Sequence, residues 1–144
     1  MYCSPVNLSG CNLSRIDLRG SDLTGANLTG ANLENANLLW ATFNCNQNGE
    51  KSFCPDEGDA SLRNANLSGA VLRYAVLRDV QGANFTGADL WSVDFEGANL
   101  ETAVLQGTDL RFTYFARTSL ANANLRNANC QGNEWMSSLN FRGA

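Results

Sequence analysis

Almost every fifth residue of this chain is large and apolar, and the residue two positions before it is usually alanine. The centres of this beat run Cys3, Leu8, Leu13, Leu18, Leu23, Leu28, Leu33, Leu38 and Phe43, then resume at Leu62, Leu67, Leu72 and Leu77. A second shift of phase precedes Phe85, Leu90, Phe95, Leu100, Leu105, Leu110, Phe115, Leu120, Leu125, Cys130 and Trp135. An α-helix needs apolar residues at a period of about 3.6, so a beat of five would spiral them round every face. An ordinary strand needs alternation, and an odd period would send successive centres to opposite sides. The pattern is satisfied when the chain turns a corner every five residues.

Within each unit the centre and the residue two before it then point the same way, and the other three positions face solvent. Four sides close a square coil of about twenty residues, and stacked coils sit ~4.8 Å apart, the hydrogen-bonding distance between strands. The narrow interior has room for one large side chain per side, which accounts for the alanines. Glycine at the last position of a unit, as in Gly10, Gly30 and Gly87, suits a corner that needs positive φ. Asn or Asp before the centre is placed to accept from the turn backbone.

The units ANLTG at 26–30, ANLEN at 31–35, ANLSG at 65–69, GADLW at 87–91 and ANLRN at 123–127 share the form A-(D/N)-L-x-x. In them the chain resembles the pentapeptide-repeat family over nearly its whole length. The resemblance implies an all-β fold, a right-handed quadrilateral β-helix with short terminal caps; the handedness comes from the family alone. One domain would span 1–144, with a loop insertion at 44–59, a short bulge at 80–82 and a C-terminal cap at 136–144. Trp135, Met136, Leu139 and Phe141 would cover the open end of the stack, which otherwise exposes unpaired edges.

The insertion is polar and bracketed by Cys45 and Cys54, whose pairing would tie it down. It reads either as a partner-recognition element or as a neutral surface excursion. Asp56, Glu57 and Asp59 supply hard oxygen ligands but match no calcium-loop spacing, and a cysteine pair without histidine makes a poor zinc site. No metal and no cofactor are therefore expected. Cys3, Cys11 and Cys130 fall on inward positions and read as small buried hydrophobes, with a Cys3–Cys11 bridge as an alternative for the first coil.

Residues about twenty apart share a wall. If the phase shift is three extra residues at Val80-Gln81-Gly82, one wall carries the units centred on Leu18, Leu38, Leu72, Phe95 and Phe115. Its outward residues include Leu39, Trp40, Val71, Tyr74 and Tyr114, a candidate partner-binding face. Trp40 should lie against Tyr74 and Arg73 against Glu96. A second wall should hold Trp91 beneath Arg111 as a cation–π pair, with Phe112 beside it. The competing reading is that outward rings merely stack neighbouring coils on one another.

Catalytic signals are missing: the chain has no histidine, no Gly-x-Ser-x-Gly elbow and no phosphate-cradling loop. Asp17, Asp22, Asp89, Asp94 and Asp109 occupy the Asn/Asp slot of the repeat, so structure explains their spacing. A non-enzymatic structural or protein-interaction module is expected, monomeric or weakly oligomeric, with a protein partner. The resemblance supplies an alternative, a DNA-mimicking gyrase inhibitor. A net charge of −4 is weak for mimicry and disfavours nucleic-acid binding, and arginines cross the carboxylate columns. No apolar run reaches the ~18 residues of a membrane span. Five cysteines in so short a chain, and the resemblance to lumenal members of the family, favour an extracytoplasmic compartment, periplasm or thylakoid lumen.

Overall fold

The computed structural model describes residues 6–43 and 60–133. Parallel β-bridges link each coil to the next in four columns, one per side. Side 1 aligns Asn7, Asn27, Ser61, Asp79, Asn99 and Ser119; side 2 aligns Asn12, Asn32, Asn66, Asn84, Val104 and Asn124. Side 3 carries Asp17, Asn37, Val71, Asp89, Asp109 and Asn129. Side 4 pairs Asp22 with Thr42 and, further along, Val76 with Asp94 and Tyr114. We number the coils 1 (6–25), 2 (26–43), 3 (60–77), 4 (78–97), 5 (98–117) and 6 (118–133). Each side pairs through a single residue, and among the described residues none extends into a longer strand.

One hydrogen-bond cycle repeats with the pentad. Leu28 N–H donates to Ser61 O (2.8 Å), Gly30 N–H to Arg63 O (2.8 Å), Ala31 N–H back to Leu28 O (3.0 Å) and Asn32 N–H to Cys11 O in the preceding coil (2.9 Å). The Asn or Asp side chain accepts from the turn, as Asn27 Oδ1 does from Thr29 N–H at 3.0 Å. On side 2 the amides also donate to one another, Asn32 to Asn12 and Asn66 to Asn32 (3.2 Å each). Backbone polarity is thus satisfied without helix or broad sheet.

The interior is a filled column. Leu28, Leu33, Leu38, Leu67, Leu72, Phe85, Phe95 and Phe115 are fully buried, with the alanines between them. Phe95 stacks on Phe115 at 5.5 Å and meets Phe85 edge-on at 6.1 Å. Thr113 and Thr118 take alanine positions, and their buried hydroxyls donate to Leu90 O and Phe95 O. Leu8, Leu13 and Leu18 in coil 1, and Leu125 and Cys130 in coil 6, are only partly covered. The expected C-terminal cap residues lie outside the described ones.

The insertion costs no side, since Leu28 N–H bonds to Ser61 O across it. The second phase shift differs from the expected three-residue bulge. Val80 is fully buried as a centre in its own right, and Asp79 is a bridging residue of side 1. Only Arg78 and Asp79 separate Leu77 from Val80, so coil 3 ends without its last corner turn and coil 4 follows two residues early in sequence. Arg78 fills the gap: Nη1 donates to Asp94 O (3.0 Å) and Leu77 O (3.4 Å), and Nη2 to Asp94 Oδ2 (3.1 Å). Arg63–Asp79 and Arg73–Asp89 bridge the same two coils at 2.8 and 2.7 Å.

Candidate functional site

This register collects side chains that the sequence reading had divided between two walls. Side 3 carries the centres Leu18, Leu38, Leu72, Leu90 and Leu110, while Phe95 and Phe115 belong to side 4. The corner between sides 3 and 4 consequently holds Trp40, Tyr74, Trp91 and Phe112 on four successive coils. Their ring centroids are 6.4 Å (Trp40–Tyr74, 29° between planes), 5.1 Å (Tyr74–Trp91, 84°) and 5.6 Å (Trp91–Phe112, 68°) apart. Trp40 is 62% exposed and Phe112 60%.

The backbone makes these residues unusual. The second residue of every described turn adopts positive φ; at other corners it is most often glycine or asparagine, as at Gly30 (66°), Gly69 (65°) and Asn127 (59°), with Arg15, Thr102 and Arg117 as exceptions. At this corner Trp40 (59°), Tyr74 (64°) and Phe112 (59°) do so. A left-handed conformation costs a non-glycine residue about 1–2 kcal/mol. The inter-coil bonds here are also long: Trp40 N–H to Arg73 O and Tyr74 N–H to Trp91 O are each 3.4 Å, against 2.8 Å at Gly30 and Asn35.

Of the residues expected on one face, Leu39, Trp40, Val71 and Tyr74 are brought together. Tyr114 instead bridges to Asp94 on side 4, around the corner. Trp91 and Phe112 join the group. The contact between Trp40 and Tyr74 is present, but Arg73 pairs with Asp89 rather than Glu96, whose partner is Arg117. Arg73, not Arg111, lies over Trp91, with its guanidinium carbon 6.0 Å from the ring centroid. Arg111 is held away by a two-pronged pair with Asp109 (Nε–Oδ1 2.9 Å, Nη2–Oδ2 2.6 Å). These differences follow from the missing turn, which moves every unit after Leu77 by one side. Reading Ala75-Val76-Leu77 as a unit lacking its turn, followed at once by Arg78-Asp79-Val80-Gln81-Gly82 with Asp79 in the Asn/Asp slot, was the available signal.

Arg19 likewise grips Asp17 beside Leu39 and Trp40, and these residues with Gly20 line a shallow recess of about 470 Å3. The Arg19 and Arg111 guanidinium groups hold the carboxyls of Asp17 and Asp109 below the usual carboxylate range, with backbone N–H bonds assisting. Asp22 is lowered by hydrogen bonds from Thr24 and Thr42. The corner therefore alternates rings with locally neutralised ion pairs.

Cys11 and Cys130 are free thiols, each half-buried; burial pushes the Cys130 thiol up. Cys11 takes the alanine position of side 2, and the alternative bridge to Cys3 falls outside the described residues. Cys3, Cys45 and Cys54 lie outside the described residues. Among the described residues no group of three or more Cys, Asp or Glu is placed to hold a metal, and no helix is long and apolar enough to cross a membrane.

The pentapeptide-repeat family model matches residues 3–38, 58–81, 83–117 and 103–132, in eight copies. The chain belongs to the pentapeptide-repeat family. Among solved structures it resembles HetL, a pentapeptide-repeat protein involved in heterocyst differentiation regulation in the cyanobacterium Nostoc, at 28% identity and a TM-score of 0.56. That match covers 97% of this chain, which spans 65% of the Nostoc protein's length. Rfr23 from the cyanobacterium Cyanothece is 28% identical with a TM-score of 0.51, covering 88% of both chains. QnrB1, a plasmid-mediated fluoroquinolone resistance protein, shares the fold at 23% identity and a TM-score of 0.55, over 92% of this chain and 58% of its own. No curated protein matches the chain.

Proposed function

We propose that this pentapeptide-repeat protein is a non-enzymatic interaction module, a right-handed quadrilateral β-helix that engages a protein partner through its aromatic corner. One observation carries the reading. Three bulky rings occupy left-handed backbone positions at a single corner, where glycine would fit without strain. Ring–ring contacts return about 0.5–1.5 kcal/mol per pair, which offsets the strain without exceeding it. Stacking alone therefore gives little reason to place these rings here, whereas exposed aromatics with adjacent arginine are the side chains that dominate protein interfaces.

The filled interior supports a binding role over catalysis, because it leaves outer surfaces as the places where a partner can be met. DNA mimicry is disfavoured by the carboxylates themselves: Asp17, Asp79, Asp89, Asp94 and Asp109 each carry an arginine partner, which breaks up any continuous negative stripe. The extracytoplasmic compartment rests on cysteine usage, and counting free thiols in the denatured chain with and without reductant tests it.

Affinity capture from native extract with the intact chain and with a Trp40→Gly/Tyr74→Gly variant tests the reading. A partner retained by the first and lost by the second is expected. Equal capture by both overturns it.

A further inference from the structure

Resting on that reading of the corner, we propose that its occupant is a proline-rich segment in the polyproline II conformation, bearing an Arg or Lys at the end that meets Asp22. The corner offers no edge for an added strand. Its backbone N–H groups already donate within the stack, Trp40 to Arg73 O, Tyr74 to Trp91 O and Ser92 to Arg111 O. Recognition must therefore come from side chains.

Spacing then separates the remaining peptide conformations. Coils repeat every ~4.8 Å. A polyproline II helix turns once in three residues, ~9.3 Å, close to two coils at ~9.6 Å. Residues i and i+3 of such a segment meet rings two coils apart: Trp40 with Trp91, or Tyr74 with Phe112. An α-helix, at ~5.4 Å per turn, slips by ~0.6 Å at every coil and needs a groove rather than a ridge.

The polar atoms agree with this occupant. The indole N–H groups of Trp40 and Trp91 and the hydroxyl of Tyr74 carry no hydrogen bond among the described residues. Polyproline II backbone carbonyls are unpaired internally and would accept from them. Arg73 and Arg111 are matched by Asp89 and Asp109, so the middle of the corner suits an uncharged ligand. Asp22, one coil beyond Trp40, is different. Its carboxylate accepts from Thr24 and from the Thr42 hydroxyl, yet no cation pairs with it among the described residues. A basic side chain at that end of the ligand completes it.

The test titrates the full chain with a synthetic peptide holding two consecutive Pro-x-x-Pro turns and one terminal Arg, reading the indole N–H resonances. A Gly/Ser peptide of equal charge and an amphipathic helical peptide serve as controls. Saturable shifts at Trp40 and Trp91 are expected, with affinity falling at least about tenfold in Trp40→Gly. Asp22→Asn should weaken the Arg-bearing peptide several-fold and leave a version with Ala in place of Arg unchanged. No saturable shift at millimolar peptide, equal binding of either control, or indifference to Trp40→Gly overturns the proposal. If the glycine variant loses its protein partner while the peptide fails to bind, the corner remains the interface and only the polyproline II assignment falls. If neither depends on the rings, both fall.

Discussion

Arg78 and Asp94 are joined twice: the guanidinium donates to the backbone carbonyl of Asp94 at 3.0 Å and to its carboxylate at 3.1 Å. The pair stands where coil 3 ends without its fourth turn, so a side chain supplies hydrogen bonds that turn backbone supplies elsewhere. We predict that Arg78→Ala destabilises the chain by about 1–3 kcal/mol, the cost of stranding the Leu77 carbonyl and breaking the charged pair with Asp94, whose own carbonyl keeps the Leu77 N–H. Lysine should not restore it, because it lacks the planar fork. Urea denaturation of the two variants checks this.

Arg63–Asp79 and Arg73–Asp89 reinforce the same coil interface but are about half exposed on the arginine side. Each should contribute under about 1 kcal/mol, and raising salt should reduce the contribution further. The expected result is that Arg63→Ala and Arg73→Ala shift the urea midpoint slightly at low ionic strength and hardly at all in molar salt.

The coil itself was legible because Leu28, Leu33 and Leu38 recur at a spacing that only a corner every five residues satisfies. The Trp40–Tyr74 contact followed, since nothing but the insertion intervenes and it leaves and re-enters at one corner. What was hidden lay beyond Leu77. A missing turn and an added bulge produce nearby phase shifts in one dimension, and Val80 is a smaller centre than its neighbours, preceded by arginine where alanine is usual. Its identity as a centre emerges from burial, not from the local text. The consequence reaches Trp91 and Phe112, which belong with Trp40 only once the shift is given its correct sign. Backbone strain at Trp40 was visible as a departure from glycine in the last position of the unit, a signal the periodicity alone did not rank.

Acid should be the weak side of the stability profile. Asp17, Asp22 and Asp109 have carboxyls depressed in the folded chain, so the stability they contribute is complete above the unfolded value of about 3.9 and is lost as pH falls through the lower folded values. With no histidine in the chain, the denaturation midpoint should stay level from about pH 5 to 8 and drop below about pH 4. Asp22→Asn combined with Asp109→Asn should make that drop shallower. A break near neutrality would contradict the assignment.

The central claim is that the rings at the corner serve a partner more than they serve the stack. Equilibrium denaturation of the Trp40→Gly/Tyr74→Gly variant measures this directly, since glycine relieves the left-handed strain while deleting the ring contacts. Our account predicts that the two effects nearly cancel and stability stays within about 1 kcal/mol of the parent. A loss beyond about 3 kcal/mol would show that the rings hold the coils together, and would contradict it.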